Sequence, residues 1–498
     1  MTVLSVVVFL PLVAAAALAV WRRPGPRAVA RTWIAVSAAD LLLVVWMWTR
    51  YRGGIAYETR ARWIPSVGAG YHVGVDGLSL PLLAMTALLF LVCAVGSLRG
   101  TRRAGPYAAL FLALETVCLG LFAALDLLLF FVFFDLSIVG MYFVIAGWGH
   151  GDHLRSALRF FLYTFLGSLA LLLGFIGLYL GSRPRTFDMT DLTRNPPLAD
   201  APGTAALVLL AVAVGLAVKT PSFPFHTWLP PAHTDAPAAG SAILAGVMLK
   251  MGTYGFVRIA MPMLPGAWQR YAWVFVAVGV VGALYGALVA LAQDDLKRLV
   301  AYTSVNHMGY VVLAVGAAGL VAGDARAGEL AVSGAVTQMV SHGLVTGALF
   351  LLTGVLWDRV HDYDLGRLGG IAGRAPVFAG LTAVAAFASL GLPGLSGFIA
   401  EFQIFAGVIG TGSPGAVAAG ALAVIGVLIT AALFLRVLHR AFLGPPGELT
   451  PRVTEMRPGE LAAVTPLLAA SLVIGLFPRW LLDVIEPAAT AVVSLVSR

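Results

Sequence analysis

The chain is 498 residues long, 60% hydrophobic and only 11% charged. Soluble domains are about 25% charged, so this composition excludes a water-soluble enzyme, a disordered protein and a nucleic-acid-binding protein. The formal net charge of +8 reflects an excess of basic residues, which membrane proteins place in cytoplasmic loops, so we do not interpret it as a nucleic-acid-binding surface. We expect an all-α polytopic membrane protein whose solvent is the lipid bilayer.

Fourteen apolar runs are each long enough to cross the bilayer, which takes about 20 residues. They cover residues 2–20, 30–48, 77–98, 107–124, 127–147, 157–181, 204–224, 240–262, 269–292, 299–321, 329–357, 375–409, 415–438 and 460–482. The first run is followed by Trp21 and basic residues, not by a small-residue cleavage site, so we expect no cleavable signal peptide. The longest intervening stretches, 49–76 and 182–203, are predicted to be polar loops, which makes 1–498 a single transmembrane domain.

Two of the spans contain helix-breaking sequences. The seventh is interrupted by Lys219-Thr-Pro-Ser-Phe-Pro-Phe and the twelfth by Leu390-Gly-Leu-Pro-Gly-Leu-Ser-Gly. Backbone groups freed by such breaks are tolerated at membrane depth only inside protein or beside water. Because each break falls in the fourth span of a five-span unit, we predict two inverted five-helix repeats, approximately 107–262 and 269–438, with an ion site at each break. The alternative is that the prolines are packing kinks only.

Lysine is rare in this sequence. The chain has three, Lys219, Lys250 and Lys297, and we place the first two inside the bilayer and Lys297 in a loop. Arginine stays protonated, whereas a buried lysine can lose its proton. Lysine therefore suits a proton carrier and arginine does not. The alternative is that two of the three lysines lie in spans by chance or for size.

Three acidic residues also lie in apolar spans. Asp135 lies in an aromatic span, Glu115 in the span before it, and Glu401 after the break in the twelfth span. An ionisable group at the centre of the bilayer costs at least ~2.5–3.5 kcal/mol, so each should face the interior of the bundle and serve a function. We expect Asp135 to stay ionised by pairing with Lys219.

Two histidines extend this set, His307 in the tenth span and His342 in the eleventh. Imidazole passes protons in either direction near neutral pH, although a structural histidine is an equal alternative for each. His226 and His233, near the break in the seventh span, suit a structural role or a channel mouth. No CxxC, P-loop or bis-histidine haem pattern stands out, so we expect no metal, flavin, haem, iron–sulfur cluster or NADH on this chain.

Four motifs include many of these residues. They are the run Lys219 to Ser241 (KTPSFPFHTWLPPAHTDAPAAGS), Leu249-Lys-Met-Gly-Thr-Tyr-Gly, Asp294-Asp-Leu-Lys-Arg-Leu-Val-Ala-Tyr-Thr-Ser-Val-Asn-His-Met-Gly and the run Leu390 to Phe402. These motifs resemble those of a known family, the antiporter-like subunits of respiratory complex I. The resemblance covers essentially the whole chain. It is strongest toward the M type of NADH-quinone oxidoreductase subunit, including the lack of a long extension after the fourteenth span, and extends to the related Mrp-type cation/proton antiporter subunits.

The resemblance implies a proton path through the membrane midplane. By matching motifs, Asp135 takes the place of a fifth-helix glutamate that pairs with Lys219 on the broken seventh helix. Lys250 and the histidines continue the polar axis, and Glu401 takes the terminal position toward the exit. Aspartate is one methylene shorter than the usual glutamate, so the reach of Asp135 to Lys219 is expected to need a water or a helix shift.

The resemblance also implies membership of a complex. We expect a translocating membrane subunit of a proton-pumping NADH-quinone oxidoreductase in the bacterial plasma membrane, with L- and N-type membrane subunits as neighbours. Quinone, NADH, FMN and iron–sulfur clusters are then expected in partner subunits. Two alternatives stay open: a subunit of a multi-subunit Na⁺/H⁺ antiporter, and a scaffold paralogue that keeps the fold without conducting protons.

Overall fold

The structure is a computed structural model that describes residues 2–21, 25–97, 102–320 and 325–497. Within these ranges, thirteen helices are long and apolar enough to cross a membrane, and two shorter apolar helices, Pro376–Ser389 and Ser396–Gly410, occupy the predicted twelfth span. These helices follow the order of the fourteen predicted spans. The all-α polytopic architecture predicted from the sequence is therefore confirmed.

The helices of the first part of the chain include two short ones between the long spans. They are α1 (Val3–Val20), α2 (Pro26–Arg50), α3 (Ser79–Gly96), α4 (Ala104–Ala123), α5 (Leu127–Trp148), α6 (His153–Gly181), α7 (Met189–Arg194), α8 (Pro202–Lys219) and α9 (Leu229–Asp235). The next span, Ala238–Met263, is one continuous helix with two π-helical turns, Leu244–Met248 and Phe256–Ala260. Its α-helical parts are α10 (Ala238–Ile243), α11 (Leu249–Gly255) and α12 (Met261–Met263).

The remaining helices complete the bundle. They are α13 (Pro265–Leu291), α14 (Leu296–Ala318), α15 (Ala325–Val360), α16 (Pro376–Ser389), α17 (Ser396–Gly410), α18 (Pro414–Val437, extended by a π-helical turn to Phe442), α19 (Pro458–Leu476) and α20 (Arg479–Val496). The fourteenth span thus ends at Leu476, earlier than predicted, and a separate helix follows it. Helices α11, α14 and α15 are among the most deeply buried, and they carry three of the seven ionisable residues predicted to be functional, Lys250, His307 and His342.

Both predicted interruptions are breaks in the helices, and they share one backbone geometry. In each break one N–H donates a hydrogen bond to the carbonyl four residues earlier, and a second N–H donates to the carbonyl five residues earlier. In the first break these bonds run from Thr220 to Leu216 and from Ser222 to Ala217. In the second break they run from Leu390 to Ala386 and from Leu392 to Phe387. The second break also uses Gly391 and Gly394 at positive φ, which only glycine adopts readily. Each break leaves a helix end inside the bundle.

A second backbone feature also occurs twice. An aspartate caps the start of α5 and another caps the start of α14, Asp126 and Asp295 respectively. Each capping residue pairs in an isolated antiparallel bridge with an aspartate of a later loop, Asp126 with Asp188 and Asp295 with Asp364. The two bridges join the beginning of a long helix to a distant connecting segment in the same way.

The segment 49–76 is not the simple polar loop that we predicted. It contains an antiparallel hairpin of β1 (Ala56–Ile64) and β2 (Ala69–Val75). Buried His72 fastens this hairpin to the segment before α7, because its Nδ1 lies 2.8 Å from Asp188 Oδ2 and its Nε2 lies 2.8 Å from Glu58 Oε1. We call His72, Glu58 and Asp188 the hairpin clasp.

The clasp alters the acidity of both carboxyl groups. Burial alone would raise the pKa of Asp188, but hydrogen bonds from His72 and Thr190 outweigh burial and hold that pKa well below its usual range. The hydrogen bond from Arg60, with a further one from His72, lowers the pKa of Glu58. Both carboxylates therefore stabilise the fold in their ionised forms.

Candidate functional site

The first break places Lys219 inside the bundle. Lys219 is the last residue of α8 and is only 1% exposed. Its Nζ donates a hydrogen bond of 2.8 Å to Ser137 Oγ of α5 and lies 4.7 Å from the centre of the Phe134 ring. A hydroxyl group and an aromatic face, not a carboxylate, are thus the direct neighbours of this ammonium group.

The predicted ion pair between Asp135 and Lys219 is absent from the structure, although both residues are described. Residues two apart on a helix point to different sides, so the contact of Lys219 with Ser137 turns Asp135 away. Asp135 lies beside Ser168 of α6, and its Oδ1 has no hydrogen-bond partner among the described residues. Its charge still acts on Lys219 at longer range, so the two groups are neighbours without contact.

Lys250 is the second residue after the first π-helical turn of its span and is fully buried. Its Nζ donates a hydrogen bond of 2.5 Å to Ala245 O and lies 2.6 Å from Nδ1 of His342. A π-helical turn shifts the backbone bonding pattern and is frequent at functional sites. The local helix geometry thus holds the Lys250 amine against an imidazole nitrogen of α15.

The two predicted histidines and Glu401 continue from this contact. The rings of His342 and His307 are 5.3 Å apart, and His307 Nε2 lies 3.8 Å from Glu401 Oε1. His307 Nε2 also lies 3.0 Å from the carbonyl of Ser389, the last residue of α16. A small polar cavity of about 10 Å³ is lined by His307, His342, Ser389 and Glu401, with the hydroxyl of Thr346. We call Lys250, His342, His307 and Glu401 the central axis.

Lys297 is buried, although we expected it in a loop. At the start of α14 its Nζ donates hydrogen bonds to Thr234 O (3.2 Å) and Ala236 O (2.5 Å), and its side chain is fully buried. The charges of Lys297 and Lys250 both act on His233, and neither ring nitrogen of His233 has a hydrogen-bond partner among the described residues. Lys297 was missed because three other charged residues stand beside it in the sequence Asp-Asp-Leu-Lys-Arg.

Glu115 is buried as predicted, but it lies apart from the central axis. Its Oε2 accepts a hydrogen bond of 2.7 Å from Ser37 Oγ of α2, and its charge interacts with that of Asp40. Asp40 was not singled out in the sequence, although it is a lone acid in an apolar span. The charges of Glu115 and Lys219 both act on the thiol of Cys118, so the Glu115 region adjoins the Lys219 region.

Residues 124–430 match the family described as NADH:quinone oxidoreductase/Mrp antiporter, TM. The chain belongs to this family. It is 37% identical over 436 residues to NADH-quinone oxidoreductase subunit M of Rickettsia prowazekii (86% of this chain, 84% of the relative). It is 38% identical over 504 residues to the subunit M of Rhodobacter capsulatus (97% of this chain, 95% of the relative). The resemblance drawn from the sequence motifs is therefore confirmed.

Chains in two solved structures have the same fold as this chain. A chain of respiratory complex I from Thermus thermophilus with bound NADH is 31% identical and superposes with a TM-score of 0.89 over 99% of both chains. A chain of the Mrp complex from Dietzia sp. DQ12-45-1b superposes with a TM-score of 0.86 over 100% of both chains, and at 24% identity it shows the shared fold alone. This chain is a multi-pass membrane protein of the antiporter-like type.

Proposed function

We propose that this chain acts as an M-type membrane subunit of a bacterial proton-pumping NADH-quinone oxidoreductase, and that protons move along the central axis. The 2.6 Å contact between Lys250 Nζ and His342 Nδ1 carries the proposal. An ammonium group only donates hydrogen bonds, whereas a neutral imidazole nitrogen accepts one. The contact therefore joins a proton donor to a proton acceptor with no further rearrangement.

The second histidine is oriented to pass the proton onward. The carbonyl of Ser389 accepts a hydrogen bond from the Nε2–H of His307, which leaves Nδ1 as the basic nitrogen of a neutral ring. A proton taken up on Nδ1 can then leave from Nε2 toward Glu401 Oε1, 3.8 Å away. The polar cavity between the rings has enough hydroxyl groups to hold a bridging water.

In this proposal Asp135 and Lys219 set the direction of transfer. Moving one charge against 100 mV takes about 2.3 kcal/mol. Two unit charges that approach to about 4 Å at an effective dielectric constant near 20 gain about 4 kcal/mol. A helix shift that opens and closes contact between Asp135 and Lys219 is thus sufficient to drive one proton toward Lys250. The structure then corresponds to the open arrangement, in which Ser137 holds the amine.

The energy for this shift would come from quinone reduction in neighbouring subunits. We place NADH, FMN, the iron–sulfur clusters and quinone in those partners, with L- and N-type subunits beside this chain in the plasma membrane. The Rickettsia and Rhodobacter relatives are named NADH-quinone oxidoreductase subunit M, which supports a place for this chain in such a complex.

We also propose that the approximate ranges 107–262 and 269–438 are inverted repeats. The shared hydrogen-bond pattern of the two breaks and the two isolated aspartate bridges support the proposal. In this arrangement the Lys219 break and the break before Glu401 are equivalent points of two half-channels.

Replacement of Lys250 by methionine in the assembled complex, reconstituted in proteoliposomes, tests the proposal. Methionine keeps an unbranched side chain but cannot carry a proton, so proton pumping per electron should fall while NADH oxidation with quinone continues. Met251→Leu, at an equally buried neighbouring position, is the matched control. Full pumping by the Lys250→Met complex would overturn the proposal.

Exchange of Na⁺ for H⁺ is a second candidate, because the family description includes Mrp antiporters. It requires that formation of the pH gradient depend on sodium. A gradient formed equally in sodium-free potassium medium would exclude this candidate for the chain. A complex that pumps normally with Asp135→Asn, Lys219→Ala and Lys250→Met together would instead favour the non-conducting scaffold.

A further inference from the structure

Two fully buried carboxyl groups, Asp40 of α2 and Glu115 of α4, lie close enough for their charges to interact. Trp33, Ser37 and Asp40 are spaced by four and three residues and so share one face of α2. That face meets α4 in layers, because the Trp33 ring packs 5.3 Å from the Phe111 ring and Ser37 bonds to Glu115 one turn further along. Asp40 occupies the next layer of the same interface.

The hydrogen bonds of this pair are incomplete. Glu115 Oε2 accepts a bond from Ser37 Oγ, but Glu115 Oε1 and both carboxyl oxygens of Asp40 have no partner among the described residues. Neither carboxyl group forms an ion pair within the described part of the chain. Three buried oxygen atoms thus lack a hydrogen-bond donor. This observation rests on the hydrogen-bond partners alone and does not depend on the interaction between the two charges.

An ionised carboxylate only accepts hydrogen bonds, so two of them with one hydroxyl donor would be poorly solvated. They would also repel each other, and burial without a compensating cation is costly for each. One proton removes one of the two charges and turns one of the two acceptor-only groups into a hydrogen-bond donor.

We propose that Asp40 and Glu115 form a proton-binding site and hold one proton between them, as one carboxylic acid and one carboxylate. The site is separate from the central axis, and the charges of Glu115 and Lys219 both act on the Cys118 thiol. Its existence does not require that the axis conducts protons, so it goes beyond the proposed function.

Infrared spectroscopy of the purified, assembled complex tests the proposal, because a protonated carboxyl group has a C=O stretching band that a carboxylate lacks. The spectrum of the Asp40→Asn/Glu115→Gln complex is subtracted from that of the wild type at neutral pH. We expect the loss of one protonated-carboxyl band and one carboxylate band. Loss of carboxylate bands alone, or of two protonated-carboxyl bands, would overturn the proposal.

Two further variants keep the result interpretable. Asp40→Glu/Glu115→Asp retains two carboxyl groups and should retain the protonated band. Ser37→Ala removes the hydroxyl donor and should shift the band without abolishing it. If the double neutral variant fails to assemble, these two still decide the outcome: a wild-type spectrum in which no protonated-carboxyl band responds to Ser37→Ala would rule out the site. Pumping measured on the same samples reports separately on the proposed function.

Discussion

Gly252 sets the distance between the helix that carries Lys250 and the broken end of α8. A Cβ atom at position 252 would clash with Thr220 Oγ1, and it would lie 2.6 Å from Leu216 O and 2.8 Å from Thr220 N. Two of these atoms belong to the backbone of the break, so no side-chain rotation relieves the contact. The Gly252→Ala substitution must therefore push α8 and α11 apart.

The size of this displacement follows from the contacts. An ordinary contact with Leu216 O begins at 3.4 Å, so the helices must separate locally by about 0.8 Å. Overpacking of this kind costs about 1–3 kcal/mol of stability, which a bundle of this size tolerates. A misplacement of about 1 Å between reacting groups can slow a step by about 100-fold. We expect Gly252→Ala to reduce proton pumping at least about tenfold while the complex still assembles.

Proton pumping and NADH oxidation are measured together in proteoliposomes that contain the assembled complex. Gly380→Ala on α16 is the matched control, because a Cβ atom there meets nothing within 4 Å. It should leave pumping unchanged. Pumping at the wild-type rate in the Gly252→Ala complex would refute the role of close packing between α8 and α11.

Substitutions at three other positions have defined outcomes. Ser137→Ala removes the hydrogen-bond acceptor of Lys219. A hydrogen bond to a buried charge is worth about 1.5–3 kcal/mol, so its loss should reduce proton pumping at least about tenfold. Ser137→Thr keeps a hydroxyl group and should restore pumping. His72→Ala opens the hairpin clasp and should lower the free energy of unfolding by about 1–3 kcal/mol, as thermal melting would show. The pKa of Asp188 is lowered in the fold, so its contribution to stability is complete above its ordinary value of 3.8 and is lost as the pH falls below it. Asp188→Asn should therefore flatten the acid side of the melting profile, and an unchanged acid slope would contradict this assignment.

The order of the membrane spans was predictable from the sequence because span length and apolar composition are fixed by the bilayer. Both helix breaks were also predictable, because proline and glycine interrupt an otherwise continuous apolar run. The β-hairpin was not predicted. Its first strand carries Glu58, Arg60 and Arg62, and these charges made the segment resemble a loop although they face solvent or the clasp.

The residues of the central axis were also predictable, since each is ionisable or protonatable within an apolar run. The partner of Lys219 was not, because the sequence places Asp135 and Ser137 in the same turn of α5 and only the rotation of that helix decides between them. Asp40 could have been identified by the same rule as Glu115, because each is a lone acidic residue in an apolar span. Lys297 was not recognisable as a buried residue because its neighbours in the sequence are charged. Its burial is evident only from its hydrogen bonds to the carbonyls of Thr234 and Ala236.

The ratio of protons pumped to electrons transferred, measured in proteoliposomes with the Glu401→Gln complex, reports most directly on conduction through the central axis. Glutamine keeps the shape of the side chain beside His307 but cannot take up the proton at the end of the axis. We predict a lower ratio with continued electron transfer from NADH to quinone. An unchanged ratio at an unchanged electron-transfer rate would contradict proton transfer through Lys250, His342, His307 and Glu401.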